Sequence, residues 1–152
     1  MTLTIDLVTV WKYLPGVLFA AVGIFLLAMI VGKIRNFIAS HRFERNDLEA
    51  MRRRWREIVV LLKAPGEVSR KLAIVEADKL LDQALKSLAM PGETLGERLK
   101  FACYKYPELK EVWWAHKIRN QLVHEASYHL DGGMAYKAVK QFGRALRRLG
   151  AI

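Results

Sequence analysis

Four side chains suited to phosphate chemistry, His116, Arg119, Asn120 and His124, stand close together in the stretch Trp113–Tyr128, WWAHKIRNQLVHEASY. Around them are aromatic and aliphatic residues, and polar groups so placed require a partner, a ligand or a route to water. Arginine offers a planar, permanently charged fork that matches phosphate. Histidine titrates near neutral pH and can pass a proton to or from a ribose hydroxyl. Asparagine can orient either group. Together Arg119, Asn120 and His124 make a candidate phosphodiester site that needs no metal, with His116 as an auxiliary group. A structural role competes with this one. Arg119 can reach water or pair with an acid on a neighbouring helix, Asp78 or Asp82, and His124 can cap a carbonyl near a helix end.

Helical geometry restricts the site. On a regular helix Val112, Ala115, Arg119, Leu122 and Val123 share or border one face, and His116, Asn120 and His124 form the adjacent stripe. Arg119 and His124, five positions apart, are separated by roughly 140° around the axis. They flank a groove unless the helix end yields. His116 and His124 are two turns apart, too far to share a metal ion directly. The chain has one cysteine, Cys103, which excludes an intrachain disulfide and a cysteine-based metal site. It has no glycine-rich phosphate loop, no His-Glu-x-x-His pair and no Gly-x-Ser-x-Gly elbow. No metal and no cofactor is expected.

The elements that must position these residues read as helices. Leu48, Met51, Trp55, Ile58 and Leu62 follow a 3-4-3-4 spacing within about Phe43–Lys63, a stripe that suits a bundle or a short coiled coil. Pro65-Gly66 stops it. A long helix follows from about Glu67 to Met90, with Ile74, Ala77, Leu81 and Leu88 inward and Glu76, Asp78, Lys79 and Asp82 mostly exposed. After Pro91-Gly92, Thr94 and Glu97 have the spacing of a capping box. Pro107 opens the helix that carries Arg119. Asp131-Gly132-Gly133 forms a loop, and the last helix runs from about Met134 to Leu149. No stretch alternates as a strand does, so the fold class expected is all-α.

Upstream, Tyr13 to Gly32 runs without a charge, and about 20 apolar residues suffice to cross a bilayer. Trp11 and Tyr13 stand at one end, where interfacial aromatics belong. Lys33, Arg35, Arg42 and Arg45 follow the run and only Lys12 precedes it. The positive-inside rule then places the chain as a single-pass protein of the cell (inner) membrane, its N-terminus outside and its C-terminal domain cytoplasmic. The expected organisation is an extracytoplasmic N-terminus over 1–12, a transmembrane helix over 13–32, a basic juxtamembrane helix over 33–66 and a small antiparallel helical bundle over 67–152.

The formal net charge is +10. It is densest after the apolar run, where residues 33–63 hold nine Lys/Arg against four Asp/Glu. Such an excess favours polyanions, either nucleic acid or an anionic membrane face. Arg52, Arg53, Arg54 and Arg56 are the candidate contacts to RNA or anionic lipid.

Arg119-Asn120-x-x-x-His124 on the penultimate helix of a small bundle resembles the signature of the HEPN superfamily. The surrounding IRNQLVHE is similar to the form that bacterial members carry. The resemblance covers about residues 67–149, with KLAIVEADKLLDQAL as an earlier long helix and AYKAVKQFGRALRRLG as the last. It implies an all-helical, often dimeric domain that binds RNA and in many members cleaves it without a metal. His124 would then serve as acid or base, Arg119 would stabilise phosphate charge, and Asn120 would position. The lipid bilayer, RNA and a second copy of the chain are the partners expected. An N-terminal span departs from the common soluble form of the family. The competing functional class is a non-enzymatic, membrane-anchored interaction or assembly module, in which Arg119 and His124 are residues of the fold.

Overall fold

The computed structural model of the chain describes residues 16, 18–31, 43–125 and 127–152. Its contacts divide the chain into two units, Met1–Ala39 and Ser40–Ile152. In the first, residues 18–31 are helical (α1). The large apolar side chains of α1 are at least half exposed, from Met29 at 50% to Phe19 at 79%. Among the described residues no helix is long and apolar enough to cross a membrane. The span expected over 13–32 reaches past α1 at both ends, and the segments 1–12 and 33–42 lie outside the described residues.

The second unit is all-α. Its elements are α2 (Arg45–Lys63), α3 (Glu67–Ser87), α4 (Leu95–Lys105), a 3-10 turn (Pro107–Glu111), α5 (Val112–His124) and α6 (Gly132–Leu149). α3 is the central element and packs against α2, α4, α5 and α6. Its sequence explains this, because Ala73, Ile74, Ala77, Leu80, Leu81, Ala84 and Leu85 are all buried and lie on several sides of the helix. A helix apolar on several sides has to be covered on several sides. α6 is one-sided by contrast, and its buried residues centre on Phe142, the largest fully buried side chain.

The helix ends follow local chemistry. Thr94 accepts from the Glu97 backbone N–H, and the Glu97 carboxylate accepts from the Thr94 N–H, which completes the capping box at α4. Asp131 caps α6 by accepting from the N–H groups of Gly133 and Met134 at 2.9 and 3.2 Å. α6 therefore begins two residues before the expected Met134. At its other end Gly150 has φ 77°, and the N–H groups of Gly150 and Ala151 donate back to Arg147 and Leu146. This is the six-to-one and five-to-two pattern of a Schellman cap.

The boundary expected between 66 and 67 is not the structural one. The α2 stripe puts Met51 and Ile58 in the core at 1% exposure each, with Trp55 and Leu62 packed against it. α2 is thus a wall of the bundle. The helix expected to open at Pro107 is also two elements, the 3-10 turn and α5.

One acid holds the α5–α6 connection to the base of α3. Glu67 accepts from Lys71 Nζ at 2.8 Å and from the Leu130 N–H at 3.0 Å, and Lys71 also donates to the Tyr128 carbonyl. These hydrogen bonds, that of Lys71 first and that of Leu130 next, lower the Glu67 pKa from 4.5 to about 2. Because the folded pKa is the lower one, unfolding takes up a proton between the two values. The stabilisation is therefore complete above about 4.5 and disappears as pH falls toward about 2. Urea unfolding across that window is expected to show a flatter acid limb in Glu67→Gln than in the parent chain. Parallel limbs would show that Glu67 does not tie the connection down.

Candidate functional site

The site forms where α5 crosses α3 beside the first turn of α4. Asp78 of α3 is at its centre and is only 4% exposed. This overturns the expectation that Asp78 is mostly exposed. Its neighbours Ala77 and Leu81 are fully buried, so the side of α3 that carries Asp78 is covered by α5.

Three residues of one helix close a ring on this acid. His116 Nδ1 is 2.7 Å from Asp78 Oδ1. Arg119 Nη1 donates to Asn120 Oδ1 at 3.1 Å. Asn120 Nδ2 is 3.3 Å from His116 Nε2. Arg119 Nε lies 3.2 Å from Asp78 Oδ2, but its N–H makes no hydrogen bond there, so that contact is an ion pair alone. The donors and acceptors permit one consistent direction. A carboxylate only accepts, so His116 carries its hydrogen on Nδ1. The arginine only donates, so Asn120 turns its oxygen to Arg119 and its amide nitrogen to His116. His116 Nε2 is then the acceptor.

The ring borders a cleft of about 460 Å³, lined by Asp78, His116, Arg119 and Asn120 together with Lys79, Asp82 and the α4 start at Thr94 to Gly96. The Arg119 side chain is 27% exposed and that of His116 13%. Gly96 leaves room here: a Cβ on it would stand 3.8 Å from His116 Nε2 and from the Trp113 ring. Asp82, one turn below Asp78, is occupied by Lys86 at 2.7 Å and by the buried Arg98 at 3.2 Å. Arg98 also donates to the Glu93 carbonyl, which ties the loop before α4 to the cleft.

The structure thus gathers two of the three residues expected to act together, Arg119 and Asn120, along with the auxiliary His116. His124 is in the last turn of α5, exposed, and does not line the cleft. The buried side of α5 runs Val112, Ala115 and Ile118, and Val123 is 52% exposed. Arg119 consequently stands at the border of the buried face and not on it. Of the four α2 arginines expected to contact RNA or anionic lipid, Arg54 pairs with Glu76 at 2.6 Å, while Arg52, Arg53 and Arg56 are exposed. None of the four lines the cleft. The Glu76 carboxyl is lowered by its hydrogen bonds from Lys79 first and Arg54 second.

Asp78 is the residue that sequence reasoning undervalued. A signal existed, since Asp78 directly follows the inward Ala77 and was one of two named partners for Arg119. Among the described residues no group of three His, Cys, Asp or Glu stands close enough to hold a metal ion.

Compared with protein-family models, with curated proteins and with solved structures, the chain matches none. Fold and site alone therefore define the class: an all-α domain whose cleft is edged by an Arg–Asn–His set anchored on a buried aspartate.

Proposed function

We propose that the chain is a membrane-anchored, HEPN-like domain that binds RNA at the Arg119–Asn120 edge of the cleft and cleaves it without a metal. The observation that carries the reading is the state of Arg119. It lines the cleft, and of its five N–H groups the buried Nε faces Asp78 and, among the described residues, only Nη1 is engaged in a hydrogen bond, which leaves Nη2 unspent. Donors remain for a phosphate, while Asp78 and Asn120 hold the guanidinium in place. In the cleavage step the ribose 2′-oxygen bonds to the adjacent phosphorus and the bond to the 5′-oxygen breaks. A histidine removes the 2′ proton and a proton is returned to the leaving oxygen. His124 has that role in this reading, and a second copy of the chain completes the site. The anchor is supported by the uncharged run 13–32 and by the exposed apolar side chains of α1, a surface that suits lipid.

The test uses the full chain, taken from the membrane fraction, with single-stranded RNA in chelator. Arg119→Ala is expected to weaken binding by about tenfold, the scale of a charge-assisted phosphate contact. His124→Ala is expected to bind normally and not to cut. Cleavage that persists in His124→Ala removes His124 from the chemistry. Absence of any RNA binding ends the reading, and release of the chain by a carbonate wash ends the anchor.

A second reading is a non-enzymatic anchored interaction module. It is favoured by Asp78, which already engages both His116 and Arg119 and so makes the ring a means of fastening α5 to α3. Under it, Arg119→Ala destabilises the bundle and the chain has no RNA affinity beyond salt-sensitive, nonspecific attraction.

A further inference from the structure

Beside the cleft, α4, the 3-10 turn and α5 present a surface that the ring does not use. Tyr104 is 87% exposed and Phe101 50%. Trp113 and Trp114 are partly buried against the core, each with part of its ring in the open. Lys100, Lys110 and Lys117 stand exposed among these aromatics, and none is in an ion pair among the described residues. The nearby acids are committed elsewhere. Glu108 pairs with Arg148, Glu111 with Arg144, and Glu97 is spent in the capping box.

The surface is continuous with the cleft. His116 and Asn120 line both the cleft and a neighbouring depression of about 440 Å³ formed with Trp113, Trp114 and Lys117. Trp113 in turn lines a third depression, of about 580 Å³, with Tyr104, Lys100 and Lys110. Each has the size of a small-ligand site. The path thus runs from Arg119 across Trp113 to Tyr104. Cys103 forms part of its floor, and burial pushes the thiol above its ordinary value, which keeps it neutral.

We infer that this path is a track for single-stranded RNA, in which Trp113 and Tyr104 stack bases and Lys100, Lys110 and Lys117 neutralise the phosphates between them. Unpaired cations alone would suit any polyanion. Flat rings interleaved with them suit a polyanion that carries flat faces of its own. A duplex keeps its bases stacked inside and offers these rings nothing to meet, so the track selects single strands. The inference rests on the RNA-binding reading and gives it a direction, from the phosphate held at Arg119 toward α4.

The experiment measures binding of the full chain to a labelled uridine oligonucleotide and to a duplex of equal length. Tyr104→Ala is the cleanest variant, because a side chain this exposed contributes little to the fold. It is expected to weaken single-strand binding roughly five- to a hundredfold, the range of one base–aromatic stack, and to leave duplex binding unchanged. Trp113→Ala should do the same and Trp113→Phe should restore most of the affinity, which separates stacking from a packing defect. Replacing Lys110 and Lys117 by alanine is expected to lower the salt slope by about 0.7 each. If the parent chain binds the oligonucleotide and both aromatic variants bind equally well, the track is overturned and the phosphate site at Arg119 stands. If the chain binds polyglutamate as tightly as RNA and Tyr104→Ala changes neither, the surface faces acidic protein and the track is again overturned. If no RNA binds at all, the track and the reading beneath it fall together.

Discussion

Asp78→Ala is expected to destabilise the bundle by about 3 kcal/mol. The substitution leaves His116 Nδ1 and Arg119 Nε without the one carboxylate that faces them both. Removing one partner of a buried ion pair costs about 3–5 kcal/mol. The low end applies, because Arg119 is 27% exposed and can turn its charge to water. Asp78→Asn keeps an acceptor for His116 but replaces the oxygen facing Arg119 Nε by an amide nitrogen that cannot accept, so a loss of about 1–2 kcal/mol is expected. Urea unfolding followed by far-UV circular dichroism measures both. A shift below about 0.5 kcal/mol for Asp78→Ala, the ordinary range of a surface change, would show that the ring does not fasten α5 to α3. RNA affinity separates the two functional readings in the same variants. If Arg119 receives phosphate, Asp78→Asn loosens the guanidinium it holds and RNA binding weakens. If the ring is only a fastening, stability changes and affinity does not appear.

Gly92→Ala should cost a similar amount, about 3 kcal/mol. Gly92 has φ 130°, which a residue with a side chain rarely adopts. Space is lacking as well: a Cβ there would lie 2.7 Å from Glu97 Cβ and 2.8 Å from the Arg98 backbone nitrogen. Both atoms belong to the first turn of α4, so relief requires that turn to move. The same turn carries the Thr94–Glu97 capping box and sets Thr94, Leu95 and Gly96 at the mouth of the cleft. The loss is therefore expected in thermal stability and in ligand affinity together. Gly96→Ala is the control, since its new Cβ meets nothing closer than 3.8 Å. If Gly92→Ala melts with the parent chain, the loop before α4 is freer than its geometry requires.

The helices were legible in the sequence because their signals are local. The stripe from Leu48 to Leu62, the stop at Pro65-Gly66 and the Thr94–Glu97 box all act within a few residues, and the structure realises each of them; α3 instead ends at Ser87, short of the expected Met90, where Ala89 turns at φ 52° before Pro91-Gly92 is reached. Two features escape that reading, and the first, the Asp131 cap, is as local as the Thr94–Glu97 box. The Asp131 cap drew α6 forward by two residues through a side-chain bond that composition had marked only as a loop. α2 reads by itself as a basic segment next to an apolar run. Its place in the bundle depends on whether α3 and α6 offer a surface for Met51 and Ile58, which periodicity alone does not reveal.

The site divides in the same way. The chain by itself determined that Arg119, Asn120 and the two histidines share one helix, and that His116 and Asn120 are one turn apart and able to touch. It also made Asp78 a candidate partner for Arg119. Only the tertiary structure decided that Asp78 is buried and that His116, not His124, joins Arg119 and Asn120. The reason is geometric. Helical spacing assigns each side chain an angle around its own axis, but the histidine that meets an acid depends on where α3 crosses α5. That crossing is set by the apolar residues on several sides of α3, far in sequence from the polar residues they bring together.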